Sequence, residues 1–224
     1  MSDFQRFAIY YLPDDRALTA FGASWLGWNV EAGVPVEHPL VEGIEGFTAT
    51  PRKYGFHGTL KPPFRLADGA DEAALSEELA RFASKHGPVH VDGLVVSKIG
   101  KFLALVPTGD TAALAELAFA CVRDFDHFRR PADAAELERR RAAGLTERQD
   151  ALLLEWGYPY VDDEFRFHLT LTGKLAPAEQ VAALDAARQH VPGLPHPYEI
   201  SSIALAGERA DGRFQMIHRY ALTG

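Results

Sequence analysis

The chain carries one short pattern twice. Phe56-His57-Gly58-Thr59-Leu60 and Phe167-His168-Leu169-Thr170-Leu171 match at every position but the central one, each with a histidine and a threonine two places apart. Alternate side chains of a strand share a face, so each segment sets an imidazole and a hydroxyl on one side and leaves Phe, Leu or Gly for the other. An imidazole titrates near neutrality, so a pair supplies one group that takes a proton and one that gives it at the same pH. Phosphodiester cleavage uses such a pair, a base for the attacking oxygen and an acid for the leaving alkoxide. Hydroxyls beside them can donate to the non-bridging oxygens, where charge grows in the transition state. A single His-x-Thr would read as a strand histidine with a structural hydrogen bond. Two copies at corresponding positions make His57, Thr59, His168 and Thr170 the candidate catalytic set, in a scheme that requires no metal.

Other residues are nominated as substrate-binding by position. Lys53 and Lys61 share the face of His57 if that strand is regular, with Arg52 and Tyr54 next to them; Arg166 and Thr172 share the face of His168. Arg129, Arg130 and Tyr160 lie in a segment that leads into the second motif. These cations matter because the chain has 31 acidic against 23 basic residues, a formal net charge of −8. That balance opposes loose association with nucleic acid or anionic lipid, so an anionic substrate needs a local cluster of donors. The other histidines, His38, His86, His90, His127, His190, His196 and His218, show no metal-ligand spacing. Neither a Walker-type loop nor Gly-x-Gly-x-x-Gly after a strand is present, so no cofactor is expected. The single cysteine, Cys121, reads as a small buried hydrophobe in a helix and fits a reducing compartment.

The elements that must position these groups follow from periodicity and punctuation. Phe4 to Leu12 reads as a strand that runs into a helix at Pro13-Asp14-Asp15, with Leu18, Phe21, Trp25 and Leu26 at helical spacing. Lys53 to Lys61 reads as a short strand stopped by Pro62-Pro63. Asp71 caps a helix with Leu75, Leu79 and Phe82 on one face; one strand runs from Val89 to Ile99, and Gly100 turns the chain into Phe102 to Val106. The order then recurs: a helix capped by Thr111 with Leu114, Leu117, Cys121 and Phe125, a strand from Phe165 to Leu171, and a helix opened by Pro177 with Val181 and Leu184 on its apolar face. Two strands follow, joined at Asp211-Gly212.

The 224 residues therefore predict an α+β fold, a single bilobal domain (1–224) of two pseudo-symmetric lobes with antiparallel sheets forming a central cleft. By sequence repeat the lobes cover about 1–100 and 101–224. The second half also holds a charged, helix-prone insert at 126–161. It reads either as a solvated helix or as a lid whose arginines grip a second phosphate. No segment approaches the roughly 18 apolar residues of a membrane span, and Met1 to Leu12 does not resemble a leader. A soluble, unprocessed, cytoplasmic protein is expected, without membrane association or an obligate protein partner.

With both motifs and the repeat in hand, the chain resembles the 2H phosphoesterase superfamily, which includes RNA 2′,3′-cyclic phosphodiesterases and 2′-5′ RNA ligase-like proteins. The segments Thr50 to Phe64, Arg139 to Thr146 and Trp156-Gly157-Tyr158-Pro159-Tyr160 are similar to a branch named for phosphonate metabolism. The resemblance implies a hydrolase acting on phosphoric esters, with His57, Thr59, His168 and Thr170 in the roles derived above and a small phosphorylated sugar carrying a cyclic phosphate as substrate. RNA ends or nucleoside 2′,3′-cyclic phosphates are the alternative. Some members place an aromatic for base stacking where this chain has Thr172. A non-catalytic phosphate-binding module is a third reading; permanently charged arginines would serve that purpose better than two imidazoles.

Overall fold

Five consecutive buried residues, Phe7–Tyr11, form the first strand, β1. In the computed structural model, which describes residues 3–224, it lies inside a seven-stranded sheet. The expectation of an unprocessed start falls on the first two residues and lies outside the described residues. Phe7, Ile9 and Tyr11 point into the main core, whereas Ala8 and Tyr10 join Leu12, Trp28, Val30, Ala204, Ala206 and Phe214 on the opposite face.

After β1 come α1 (Arg16–Leu26), the short pair β2 (Trp28–Asn29) and β3 (Val34–Pro35), α2 (Ile44–Thr48), β4 (Gly58–Phe64), α3 (Glu72–Ala83), β5 (Val89–Val91), β6 (Gly93–Ile99), β7 (Phe102–Thr108) and α4 (Ala112–Asp124). The remainder comprises α5 (Ala134–Arg141), α6 (Glu147–Trp156), β8 (Leu169–Thr170), α7 (Pro177–His190), β9 (Tyr198–Ile200), β10 (Ser202–Glu208) and β11 (Phe214–Ala221). The large sheet runs β11-β10-β1-β4-β8-β7-β6, and every neighbouring pair is antiparallel. A pseudo-two-fold relation passes between β4 and β8, matching β1 with β7 and β10 with β6. The sheet halves draw on both halves of the chain: β10 and β11 extend the side of β1, and the expected boundary near residue 100 falls inside the β6–β7 hairpin.

Local chemistry accounts for most element ends. Asp15 and Asp71 accept hydrogen bonds from the Leu18 and Ala74 amides as helix caps. Thr111 stands at the start of α4 without a capping bond; Asp110 accepts from the Ala112 amide instead. Four expectations need correction, the first being the strand expected from Phe165 to Leu171, which is limited to Leu169–Thr170. The run from Val89 to Ile99 is two strands, because the chain leaves β5, which pairs with β9, and enters the large sheet at β6. Val181 on α7 is exposed, and the helix buries Gln180, Ala183 and Ala187. Lys53 and Tyr54 belong to a 3₁₀ turn, and β4 begins only at Gly58 and continues through Pro62-Pro63. The prolines are tolerated because the β1–β4 register shifts between Ile9↔Lys61 and Phe7↔Phe64 and passes over them.

A second shift, between Tyr10↔Thr59 and Ile9↔Lys61, is a bulge that turns Lys61 over. Lys61 therefore leaves the face of His57 and is buried under α4, donating to the Val122 carbonyl at 2.9 Å with Asp126 at 3.6 Å. Burial pushes its ammonium down to about 8.

The insert is two helices. Leu152 and Val161 pack on Val122 of α4, with Trp156 edge-on to Phe119 at 5.6 Å, while α5 buries no residue. Among the described residues no helix is long and apolar enough to cross a membrane.

At the seam Gly58 lies against Phe167, whose ring atoms come within 2.4 Å of where a Cβ would stand. Gly58→Ala is expected to lower unfolding stability by about 1–3 kcal/mol by overpacking, read as the urea midpoint. Adding Phe167→Leu should restore part of the loss; an unchanged midpoint in Gly58→Ala would refute the tight seam.

Candidate active site

The site grows from one backbone pairing, Gly58↔Leu169, where β4 meets β8. Continuing that antiparallel register by one residue sets His57 opposite Thr170 and Thr59 opposite His168. Alternation then puts all four side chains on one face, while Gly58 and Leu169 turn into the core. The four are half-buried, whereas Leu60, Leu169 and Leu171 are buried. Each histidine thus has its own strand's threonine beside it and the other strand's threonine across from it.

Both imidazoles are oriented in the same way. His57 Nδ1 lies 2.9 Å from the Gly55 carbonyl and His168 Nδ1 lies 2.8 Å from the Arg166 carbonyl, each two residues back. A carbonyl can only accept, so Nδ1 carries the proton and Nε2 is left for chemistry. His57 Nε2 is 3.1 Å from the Thr59 hydroxyl, which donates to it when the ring is neutral. The carbonyl of Gly55 depends on glycine, because φ is +74° there and a Cβ would stand 2.4 Å from the Val30 side chain.

The Tyr10 ring stacks on His57 at a centroid distance of 3.7 Å, and Phe102 lies 5.5 Å from His168. Burial pushes His57 down to about 4; the Gly55 carbonyl opposes this, and His168 is close enough for its charge to lower it further. His57 is accordingly a neutral imidazole at pH 7. Tyr10 and Phe102 have no distinguishing signal in the sequence: β1 is apolar on both faces, and Phe102 is one aromatic of many. Cross-strand pairing brings Tyr10 opposite Thr59.

The nominated binding residues divide. Tyr54 is near the site, 6.3 Å from His57, and exposed Lys53 sits over the Tyr54 ring. Arg52 is a structural tie, donating to the Leu26 and Glu45 carbonyls and the Thr48 hydroxyl and lying 2.9 Å from His38 Nε2. Arg129 is a strut of the insert, bound to Asp126 at 2.7 Å and to the Glu155 carbonyl. Arg166 is exposed and donates to the Asp163 and Phe165 carbonyls. Arg130 and Tyr160 are exposed on the insert, and Lys61 is on the other face. Thr172 is buried, accepting from the Leu103 amide and donating to the Gly173 carbonyl.

Fold and site together define an α+β protein whose continuous antiparallel sheet holds a symmetric pair of His-x-Thr strands at its centre. The family described as "Protein of unknown function (DUF1045)" matches residues 59–215, which include Thr59, His168 and Thr170, and the chain belongs to that family. A curated relative from Janthinobacterium sp. (strain Marseille), named "Ribose 1,5-bisphosphate phosphokinase PhnN", is 38% identical over 218 residues, covering 92% of this chain and 48% of that protein. One of the same name from Laribacter hongkongensis is 32% identical over 191 residues, covering 84% of this chain and 45% of that one. The chain spans about half the length of the curated relatives it matches. Among solved structures, TT0787 of Thermus thermophilus gives a TM-score of 0.46 at 13% identity, covering 98% of each chain.

The direction of the His57 shift sets a pH signature. With a folded value near 4 against an ordinary 6.5, the unfolded chain binds more protons between those limits. Stability is fully present above pH 6.5 and is lost as pH falls towards 4, and His57→Asn should flatten that fall. Nitrogen-15 spectra at about pH 6 should show His57 as the neutral Nδ1–H form; a charged ring at that pH would refute the assignment.

Proposed function

We propose that the chain is a phosphoesterase that opens a cyclic phosphodiester on a small phosphorylated sugar by two-histidine acid and base catalysis. The observation that carries this reading is the placing of His57, Thr59, His168 and Thr170 on one sheet face with both Nδ1 atoms held by backbone carbonyls. His57, kept neutral, takes a proton from the attacking water at Nε2 as the water oxygen bonds to phosphorus. His168, as the acid, gives an Nε2 proton to the ring oxygen as its bond to phosphorus breaks. Thr59 and Thr170 donate to the non-bridging oxygens. The product is a phosphomonoester beside a free hydroxyl, and proton exchange with solvent resets the pair.

The relatives' printed name supports a ribose carrying more than one phosphate. Their named kinase activity is not assigned to this segment, which covers about half of them and lacks a Walker-type loop. The resemblance to two-histidine phosphoesterases and to the branch named for phosphonate metabolism points the same way. A nucleoside 2′,3′-cyclic phosphate or RNA end is the second reading, favoured by Phe102 beside His168 and by the exposed Tyr160 ring as stacking surfaces.

The chain treated with EDTA should hydrolyse a ribose cyclic phosphate or a nucleoside 2′,3′-cyclic phosphate, and His57→Ala or His168→Ala should each lower kcat by about 10²–10⁴. Phosphorus NMR distinguishes cyclic ester from monoester. Turnover lost in EDTA and restored by one divalent metal would contradict the mechanism, as would full activity in either variant. Binding without turnover would favour a phosphate sensor.

A further inference from the structure

Beyond the histidines, the described residues line an open cavity of about 490 Å³ between the start of β1, the end of β4 and the insert. Arg6, Arg65, Arg129, Arg130, Arg139 and Arg140 all line it, against three carboxylates, Asp133, Glu136 and Glu208. Such a concentration is conspicuous in a chain of net charge −8. Four of the arginines are engaged: Arg6 with Glu208 at 2.6 Å, Arg129 with Asp126, and Arg139 and Arg140 with Glu136. Asp133 accepts from the Glu136 amide as the cap of α5.

Arg65 and Arg130 are different. Both are exposed, and neither has a carboxylate partner among the described residues. The backbone nevertheless fixes them as neighbours: the Arg130 amide donates to the Arg65 carbonyl at 2.8 Å, beside the isolated bridge Leu66↔Arg129. Exposed to water, the two guanidiniums repel only weakly, and both remain free to take an anion by bidentate contacts.

An independent observation lies between this pocket and His57. The Tyr10 hydroxyl is buried with no hydrogen-bond partner among the described residues. It is within electrostatic reach of Arg6 and Glu208, which line the pocket, and of the Tyr54 and Tyr158 hydroxyls. Arg140 in turn sits 5.3 Å over the Tyr158 ring. Because Tyr10 also stacks on His57, one tyrosine cluster joins the arginine pocket to the histidine pair. Arg6 stands just before β1, four residues ahead of Tyr10, about 13 Å of extended backbone.

We propose that this pocket is the subsite for a phosphomonoester on the substrate, with Arg65 and Arg130 as its main ligands and Arg140 beside them. The choice of substrate class rests on the reading of His57 and His168 as the catalytic pair: a cyclic diester lies between the imidazoles while a phosphomonoester elsewhere on the same sugar is held by the arginines. Bidentate contacts from a guanidinium to phosphate oxygens give the directional recognition that a lysine point charge lacks.

The test uses ribose 5-phosphate, which has a phosphomonoester and no cyclic diester, in calorimetric titrations of the full chain at low salt. One molecule should bind per chain, and Arg65→Ala/Arg130→Ala should weaken binding roughly 10- to 100-fold, with His57→Ala largely retaining it. A thermal melt of the double variant checks that it is folded. No binding to the unaltered chain, equal affinity in the folded double variant, or loss of binding in His57→Ala would overturn the proposal. A paired kinetic arm compares a nucleoside 2′,3′-cyclic phosphate with its 5′-phosphorylated form. The preference in kcat/KM for the second should fall towards unity in the double variant, and an undiminished preference would overturn the subsite. If neither compound turns over while ribose 5-phosphate binds as stated, the histidine chemistry fails and the pocket stands.

Discussion

A single backbone pair, Gly58 against Leu169, joins the two sides of the large sheet, and the geometry of the site follows from it. Each strand brings a histidine just before the pair and a threonine just after it, so antiparallel pairing puts both sets on one face. The pair is possible because position 58 has no side chain: Phe167, one residue before His168, occupies that space. Packing thus couples the two motifs directly. A change that separates the strands would part the imidazoles even if neither histidine were altered.

The rest of the structure supplies what the seam cannot. Carbonyls of Gly55 and Arg166 set the tautomers, Tyr10 covers one face of the His57 ring, and burial rather than a neighbouring carboxylate lowers that ring's affinity for a second proton. A cluster of positive charge lies in the arginines along the insert and the ends of β1 and β4. An acidic chain can therefore hold an anion locally without a field that would attract nucleic acid generally.

The shared face of His57, Thr59, His168 and Thr170 and most of the core were legible in the sequence because they rest on local pattern. Leu75, Leu79 and Phe82 recur at helical spacing and are buried, and the repeated His-x-Thr needs only alternation to share a face. What was not legible depends on partners distant in the chain. Alternation places Lys61 beside His57, but a bulge set by pairing with β1 turns it under α4. Arg52 and Arg129 look available from charge alone, yet carbonyls and carboxylates of other elements occupy them. Tyr10 gives no signal in a strand that is apolar on both faces. Arg65 follows the two prolines with nothing to mark it, and only the backbone pairing of 65–67 with 128–130 brings it beside Arg130.

The central claim is that one phosphoryl group is held between the two Nε2 atoms. Vanadate, which adopts the five-coordinate geometry of phosphoryl transfer, tests it most directly in a crystal structure of the full chain grown with vanadate and ribose. The account predicts a vanadium centre flanked by His57 Nε2 and His168 Nε2, with the Thr59 and Thr170 hydroxyls on its equatorial oxygens. Vanadate bound only among the arginines, or a His168 ring turned away from it, would contradict the account.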